Sequence, residues 1–453
     1  ATSMGAALRP PASRPQRALV GLHQLHALAR ASILLALLPA AARPPAGSVP
    51  SSKSVSDPTY FGKLKAPVVL VPGDASNQLL ARLDKQSGPH WWCRNKADWF
   101  RQWLTLTDLL NPVELPCWCD NMKLVLNTTT GLAQNQAGVY TRVPIFGSTS
   151  SLEDLDPSIP GHPTSMVWVP MVGALVDAGY VRNASLRGAP YDFRYSPRSD
   201  PAYFAQLEAL IVETSAAHGG NAVVLVSHSL GCLQVHAFLR TKSSAWKSAY
   251  ILRWVSIVGP YGGTNSLLRL HARGDNQGLP VAASVLREQQ RSYETNTWML
   301  PQPSVWGSVP LARTPARTYS AAELPQFLVD AGSRIGVQYL RSLGGLRERF
   351  VTPPGVAVDC FLSEGIPTPE RFEWATADLS QQPRTLMGDG DGTVNARSLR
   401  VCASWAEAQA EPVTVHYLSG VPHSSMPSDT RVIEHVLSVA AAAAAADGPV
   451  DIF

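Results

Sequence analysis

One stretch of the chain, AVVLVSHSLGCLQVHAFLR at residues 222–240, holds the residue types that acyl transfer needs. A run of β-forming residues ends at Ser229, and an apolar helical repeat follows it. A sharp strand-to-helix turn of this kind exposes the serine hydroxyl and points the next backbone N–H at a developing oxyanion. Crowding in such a turn requires small neighbours, here Ser227 and Gly231, where the usual form has two glycines. The pattern predicts a nucleophile elbow with Ser229 as the nucleophile.

A neutral serine hydroxyl is a poor nucleophile, so acyl transfer also needs a base and an acidic residue that orients the base. Hydrolases of the α/β class place these groups in the chain order serine, acid, histidine. Asp391, in the motif GDGDGTV, and His423, in a polar turn after the last predicted strand, follow that order. Asp389 competes for the acidic role. We favour Asp391 and expect Asp389 to solvate the turn.

Other interpretations of these residues are weaker. His228 and His236 belong to the elbow itself, and His416 falls inside a predicted strand. The acidic turn fails as a calcium loop because Val394 stands where the invariant glycine belongs and Arg400 where the bidentate glutamate belongs. The sequence shows no other metal motif, so we expect neither a metal nor an organic cofactor.

The elements around these motifs predict an α/β fold. Buried-strand runs occur at residues 66–71, 251–258, 356–362 and 413–418, and a crossover helix is expected at residues 207–216. Strands and helices in this order indicate a parallel sheet. The loop that begins at Asp74 lies where α/β hydrolases take a second oxyanion donor, although an ordinary turn fits the local sequence equally well. Residues 267–339 have a loose, proline-rich pattern, which we interpret as a long irregular insertion that acts as a lid.

A tryptophan-rich segment lies near the start of the predicted domain. Five of the twelve tryptophans fall within residues 91–118, and helical spacing predicts a helix at residues 97–110 with Trp99 and Trp103 on one face. Such a face fits a hydrophobic core. A tryptophan cluster closed by two cysteines also fits an anchor at a membrane interface. Both interpretations stay open.

The first residues indicate a targeting segment. There is no acidic residue before Asp57, and several arginines precede an apolar run at residues 31–42. This composition is typical of a secretory signal peptide or signal anchor, and it also fits a plastid or mitochondrial transit peptide. We favour the secretory route. Glycosylation sequons at Asn127 and Asn183 support that choice.

Cysteine spacing adds to the case for an oxidising compartment. Cys93 and Cys117 bracket the tryptophan-rich segment, and Cys360 and Cys402 bracket the acidic turn, so both pairs would close there. Cys119 is an alternative to Cys117 in the first pair. We expect Cys232 to lie buried behind the elbow.

Length and charge limit the organisation of the chain. Its 453 residues are enough for one α/β domain with insertions, and a net charge of +4 does not indicate nucleic-acid binding. We expect a targeting segment and linker at residues 1–57, a catalytic domain at residues 58–439 and a low-complexity tail at residues 440–453.

As a set, several motifs resemble the lecithin:cholesterol acyltransferase family, which includes the lysosomal phospholipase A2 acyltransferases. They are VPGDASNQ, the WWC to CWCDN segment, APYDFR, HSLGC, GDNQG, GDGDGTV and GVPH, and the resemblance runs from about residue 67 to residue 436. It implies an α/β-hydrolase fold with a cap or lid insertion and a disulfide-closed membrane-binding loop. The family's triad falls on Ser229, Asp391 and His423, and its oxyanion hole on the backbone N–H groups of Asp74 and Leu230.

The resemblance also assigns the parts that would surround the site. The membrane-binding loop falls at about residues 88–120, the lid at about residues 267–300 and the second disulfide on Cys360 and Cys402. The residues implied for the membrane loop are its disulfide pair Cys93 and Cys117 and the tryptophans Trp91, Trp92, Trp99 and Trp103.

The activity implied is that of a lipid O-acyltransferase with phospholipase A activity. A fatty acyl chain would move from a glycerophospholipid donor to Ser229, and then to a sterol, another lipid alcohol or water. The implied partners are these lipids and a peripheral membrane or lipoprotein surface, with an activator protein as a further candidate. We expect a monomer in the secretory pathway, secreted or in the lumen of a lysosome or vacuole, with a plastid as the other address.

Two other functions remain open at this point. One is a phospholipase or lipase that uses only water, since transfer and hydrolysis need the same triad. The other is a lipid-binding protein that keeps the hydrolase shell without turnover. A lost triad residue would mark the binding protein, and Ser229, Asp391 and His423 are all present.

Overall fold

The computed structural model of the protein describes residues 65–159 and 166–446. All of these belong to one compact unit, Phe61–Phe453. The targeting segment expected at residues 1–57 lies outside the described residues.

The strands of the described chain are numbered in chain order. They are β1 (Val68–Val71), β2 (Leu79–Asp84), β3 (Lys96–Trp103), β4 (Leu124–Leu126), β5 (Ala133–Asn135), β6 (Val139–Arg142), β7 (Leu186–Gly188), β8 (Val223–His228), β9 (Ile251–Ile257), β10 (Ala312–Arg313), β11 (Thr318–Tyr319), β12 (Val358–Glu364), β13 (Ile366–Glu373), β14 (Arg384–Gly390) and β15 (Val413–Ser419).

The α-helices are numbered in the same way. They are α1 (Leu106–Leu110), α2 (Leu115–Met122), α3 (Ser150–Glu153), α4 (Val169–Asp177), α5 (Pro201–Ala217), α6 (Leu230–Leu239), α7 (Ser244–Tyr250), α8 (Ser266–Arg273), α9 (Ala283–Arg291), α10 (Glu294–Trp298), α11 (Pro303–Trp306), α12 (Leu324–Asp330), α13 (Arg334–Ser342), α14 (Gly344–Arg347), α15 (Ala396–Leu399) and α16 (Thr430–Ala446). Short 3-10 helices cover Glu348–Val351, Arg400–Glu407 and His423–Ser428.

A six-stranded sheet with the order β15-β12-β9-β8-β1-β7 forms the centre of this unit, and each neighbouring pair is parallel. Strands β1 and β8 are buried along their whole length, as expected when helices cover both faces of a parallel sheet. The predicted strands and the crossover helix α5 are confirmed. The chain has the α/β-hydrolase fold.

A β-hairpin outside the central sheet returns the chain to the site. Strands β13 and β14 pair antiparallel, and a further bridge joins Ile366 to Asp391. Because β13 starts two residues after β12 ends, this hairpin brings Asp391 back beside the carboxyl end of the central sheet.

The helix predicted at residues 97–110 is wrong. Residues 96–103 form strand β3, which pairs antiparallel with β2, and a helix begins only at Leu106. Pairing with a neighbouring strand overrides the local helical spacing. Arg82 and Arg142 lie over the ring of Trp99, so this side chain packs against the strands beside it.

The prediction that residues 267–339 form an irregular segment is also wrong, because most of this segment is helical. It contains α8 to α13 and the short strands β10 and β11. Pro303 and Pro325 lie in the first turn of α11 and α12, where the missing N–H of proline has no helical partner to lose. These two prolines therefore start helices, and proline content alone does not indicate that the segment is irregular.

A buried ion pair ties three parts of the chain together. The side chain of Arg194 is fully buried, and its Nε lies 2.8 Å from Oδ1 of Asp192, as expected for a structural pair. Arg194 also donates to the carbonyl oxygen of Met122 at 2.9 Å. Its own carbonyl oxygen accepts from the backbone N–H of Glu294 at 3.0 Å. The end of helix α2, the 189–194 turn and the helical insertion thus meet at one residue.

Two disulfides join Cys93 to Cys117 and Cys360 to Cys402. Cys117, and not Cys119, closes the first bridge. Cys119 and Cys232 are buried free thiols, and burial raises the pKa of Cys232 to about 11. Within residues 65–159 and 166–446, helices that combine the length and apolar character of a membrane span are absent.

Candidate active site

The elbow forms where β8 passes into α6. Ser229 stands between them with a positive φ of 52°, a conformation that non-glycine residues rarely adopt. Its backbone N–H donates to the carbonyl oxygen of Ile257 at 2.9 Å, which ties the strained residue to the next strand. A Cβ at Gly231 would lie 2.3 Å from the carbonyl oxygen of Pro72, so this position requires glycine.

Ser227 replaces the usual first glycine of the motif and has a structural role. Its hydroxyl is buried and accepts a hydrogen bond from Nε1 of Trp254 at 2.8 Å. It also lies 3.2 Å from the sulfur of Cys232. The departure from glycine therefore links the elbow strand to strand β9.

Three side chains from distant parts of the sequence meet at this elbow. Nε2 of His423 lies 2.9 Å from the hydroxyl oxygen of Ser229, and Nδ1 of His423 lies 2.6 Å from Oδ2 of Asp391. The backbone N–H of His423 also donates to the carbonyl oxygen of Asp391 at 2.9 Å. This hydrogen-bonded line can move a proton from the serine to the imidazole while the carboxylate holds the ring in place.

The two acidic residues of the GDGDGTV turn have different surroundings. Asp391 is buried, and its Oδ1 accepts from the backbone N–H groups of Thr393 and Val394 at 2.9 and 2.7 Å. Asp389 is exposed and accepts from the backbone N–H of Gly365 at 2.7 Å. The structure brings only Asp391 into contact with His423.

Asp74 and Leu230 carry the two backbone N–H groups expected to bind the oxyanion. Leu230 is the first residue of α6, so its N–H has no acceptor within the helix. Asp74 follows β1 and lines the cavity that contains Ser229 and His423. Burial raises the pKa of the Asp74 carboxyl to about 7. A hydrogen bond from the backbone N–H of Ala75 lowers this pKa, but by less than burial raises it. This side chain is therefore protonated in weakly acidic solution.

One residue near the site, which the sequence places in the elbow without a role, contacts the catalytic histidine. His228, directly before the nucleophile, places its Nε2 3.1 Å from the carbonyl oxygen of His423. Burial and the neighbouring His423 lower the pKa of His228 to about 3, so the ring is neutral and can donate to this carbonyl. Its position next to Ser229 was the available signal.

A cavity of about 590 Å³ opens above Ser229 and His423. The segment between α8 and α9 covers one side of it, including Asn276 and Gln277, which line the cavity. Asp275 holds this segment in place, since its backbone N–H donates to Gln290 at 2.9 Å and its carboxylate pairs with Arg269. The segment lies within the lid expected at residues 267–300.

The four tryptophans assigned to a membrane loop do not share one surface. Trp91 is 92% exposed and Trp92 is 41% exposed. Trp99 is half-buried beneath arginines, and Trp103 donates to the carbonyl oxygen of Ala75 at 2.7 Å and lines a smaller cavity beside Asp74. Trp99 and Trp103 are thus less exposed than Trp91 and Trp92, and the membrane role expected of all four tryptophans stays a prediction.

The two sequons lie in turns. Asn183 is exposed, with a φ of 65°, and Asn127 is half-buried, with its side-chain oxygen accepting from the backbone of Thr129 and Thr130. Their glycosylation stays a prediction.

Comparison with known proteins places the chain among lipid-modifying enzymes. Residues 99–330 and 345–436 match the family described as Lecithin:cholesterol acyltransferase. The lysosomal phospholipase A and acyltransferase of Canis lupus familiaris is 39% identical over 388 residues, covering 85% of this chain and 94% of the relative. The protein of the same name from Homo sapiens is also 39% identical, and covers 85% and 93%. The human phosphatidylcholine-sterol acyltransferase is 37% identical, covering 82% of this chain and 84% of the relative.

Substitution of the two acidic residues tests the arrangement with a matched pair. We expect Asp391→Asn to lower kcat for a soluble ester by about 10⁴-fold, because the amide no longer holds His423 in the productive tautomer. Asp389→Asn, in the same turn, should stay within about threefold of the parent. Steady-state kinetics on both variants measures this. A silent Asp391→Asn beside an inactive Asp389→Asn would reverse the assignment.

The raised pKa of Asp74 predicts a pH effect. A carboxyl with a folded-state pKa of about 7 and an unfolded value near 4 stabilises the fold below about pH 4 and loses that contribution as the pH rises to about 7. Above pH 7 its negative charge would oppose an oxyanion beside it. We expect kcat/KM of Asp74→Asn, relative to the parent, to rise by up to about tenfold per pH unit above 7. Parallel pH profiles from acid to alkaline solution would contradict this role.

Proposed function

The chain belongs to the lecithin:cholesterol acyltransferase family, and from this premise we propose that it is a lipid O-acyltransferase with phospholipase A activity. The observation that carries the proposal is the line from Ser229 through His423 to Asp391 at the floor of a cavity of about 590 Å³. The relatives named for phospholipase A and acyltransferase activity, and for acyl transfer from phosphatidylcholine to sterol, support the choice of a lipid donor.

In the first step, the hydroxyl oxygen of Ser229 attacks the carbonyl carbon of a glycerophospholipid ester. Nε2 of His423 takes the serine proton, and the carboxylate of Asp391 stabilises the imidazolium that forms. The backbone N–H groups of Asp74 and Leu230 are the donors we assign to the oxyanion. His423 then gives its proton to the leaving glycerol oxygen, so that a lysophospholipid departs and the acyl chain stays on Ser229.

The second step decides between transfer and hydrolysis. The hydroxyl of a lipid alcohol or a water molecule attacks the acyl-serine ester, and His423 takes its proton and returns it to the serine oxygen. Removal of water from the site favours the alcohol. The segment at Asn276 and Gln277 and the ring of Trp103 border the space around Asp74, and we propose that they limit the access of water.

We propose that the exposed tryptophans form the contact with the lipid surface. Trp91 and Trp92 lie beside each other with an edge-to-face contact at 5.7 Å, and Nε1 of Trp92 donates to the carbonyl oxygen of Val113. Val113 is itself 53% exposed, and the disulfide of Cys93 and Cys117 joins the two ends of this loop. Exposed aromatic side chains on a rigid loop suit the interface region of a bilayer.

The compartment and organisation follow as further parts of the proposal. Two disulfides and lysosomal relatives favour a secreted protein or one in the lysosomal lumen. We propose residues 58–439 as the catalytic domain, acting as a monomer on phospholipid and lipid-alcohol substrates. An activator protein is a further candidate partner.

The test of this function is an assay on phosphatidylcholine vesicles that contain a long-chain alcohol or a sterol. The purified protein should produce lysophosphatidylcholine together with the acylated alcohol, and Ser229→Ala should produce neither. Products are separated by chromatography and identified by mass spectrometry. Lysophosphatidylcholine with free fatty acid alone would leave a phospholipase that uses only water. No product from a folded parent protein would favour a non-catalytic lipid-binding protein.

The surface role of the tryptophans makes a separate prediction. The double variant Trp91→Ser, Trp92→Ser should bind vesicles about tenfold more weakly, because two large apolar side chains no longer enter the interface. Its turnover of a short soluble ester should be unchanged. Tyr417→Ser, which removes another exposed aromatic ring from strand β15, is the matched control. Equal losses in vesicle binding and soluble turnover would place Trp91 and Trp92 in a structural role.

A further inference from the structure

A cluster of three metal-ligating side chains lies apart from the triad. Asp359 on strand β12, His416 on strand β15 and His435 on helix α16 each bring one ligand atom within 4.8 Å of the others. The proposed mechanism uses none of them. We propose that this cluster is a zinc-binding site.

The spacing of the ligand atoms suits a small divalent ion. Nε2 of His435 lies 2.9 Å from Oδ2 of Asp359, and Nε2 of His416 lies 3.9 Å from Oδ1 of the same carboxylate. Zinc bonds of about 2.0–2.2 Å in a tetrahedron set neighbouring ligand atoms about 3.4 Å apart. Small side-chain rotations therefore bring three ligands to one ion, and water completes the tetrahedron.

The state of His416 favours a ligand role. Its Nε2 atom is buried and has no hydrogen-bond partner in the described part of the chain, although it faces the carboxylate of Asp359. An unpaired buried nitrogen costs free energy that a metal bond would recover.

The carboxylate is also prepared for this role. Asp359 is buried, and its Oδ2 lies 2.9 Å from Nε2 of His435, a contact that an ion between the two atoms would replace. Nη1 of Arg253 lies 3.0 Å from the other carboxylate oxygen, Oδ1. Such an outer partner orients a ligating carboxylate.

Aromatic packing fixes the two imidazole rings at the edge of the cluster. Phe361 stacks on His416 with ring centres 4.4 Å apart, and it contacts the edge of His435 at 5.1 Å. The side chains of His416 and His435 are 29% and 24% exposed, whereas that of Asp359 is 2% exposed. Solvent therefore reaches the two imidazole rings, while Nε2 of His416 and the carboxylate of Asp359 stay shielded.

The position of the site in the chain gives it a structural consequence. His416 and His435 lie on the elements directly before and after the segment that carries His423. An ion bound to both, and to Asp359 on the adjacent strand, would join the two ends of that segment. Zinc would therefore stabilise the part of the fold that positions His423, without contact to the substrate.

Zinc binding and thermal unfolding of the metal-stripped full-length protein test the proposal near pH 7.5. Equilibrium dialysis should give one tightly bound zinc per chain, and zinc at about 100 times its Kd should raise the Tm. His416→Gln and His435→Gln should each raise the Kd at least about tenfold and abolish the zinc-dependent rise in Tm. His416→Gln is the cleaner variant because its Nε2 makes no hydrogen bond that the substitution would remove.

Two control variants decide where the zinc is bound. His218→Gln removes a histidine outside the cluster and should bind zinc like the parent, and His423→Gln should do the same because the triad is a separate site. Loss of zinc binding only in His423→Gln would overturn the proposal, since the ion would then lie on the triad. An unchanged zinc effect in both His416→Gln and His435→Gln, or no zinc binding by the parent, would show that the cluster is an ion pair alone.

Discussion

The strained backbone of Ser229 is the constraint on which the site depends. A positive φ at this residue turns the chain sharply enough to leave the hydroxyl at the end of a buried strand. The turn persists because its surroundings admit few alternatives: the carbonyl oxygen of Pro72 leaves no room for a side chain at Gly231. Two hydrogen bonds also stabilise the turn, one from the backbone N–H of Ser229 to Ile257 and one from Trp254 to the hydroxyl of Ser227. The hydroxyl is thus positioned before any substrate binds.

The central sheet and the order of the triad residues were predictable because they depend on local signals. Buried apolar runs, small residues beside a serine, and an aspartate and a histidine after predicted strands are visible along the chain. The sequence favours Asp391 over Asp389 as the acid of the triad, and the contact between Asp391 and His423 agrees with that prediction. What sequence could not supply was the hairpin β13–β14, which returns Asp391 to the sheet through pairing between distant residues.

The errors arose where tertiary contacts override local patterns. Residues 96–103 have helical spacing of tryptophans but form a strand, because β2 offers a pairing edge and arginines cover Trp99. Prolines suggested irregular structure in the insertion, yet two of them begin helices. The cluster of Asp359, His416 and His435 comes from three elements whose residues have no metal-motif spacing, so it is visible only when the sheet has formed.

Arg194 links two parts of the chain that could otherwise vary independently. Its guanidinium holds the carbonyl of Met122 at the end of helix α2, which carries Cys117 of the first disulfide, and its own carbonyl holds the start of helix α10 in the helical insertion. The disulfide-closed loop that we propose for the lipid surface and the insertion that borders the cavity are therefore not independent modules. Evolution or protein engineering that exchanges one of them must preserve its register with the other.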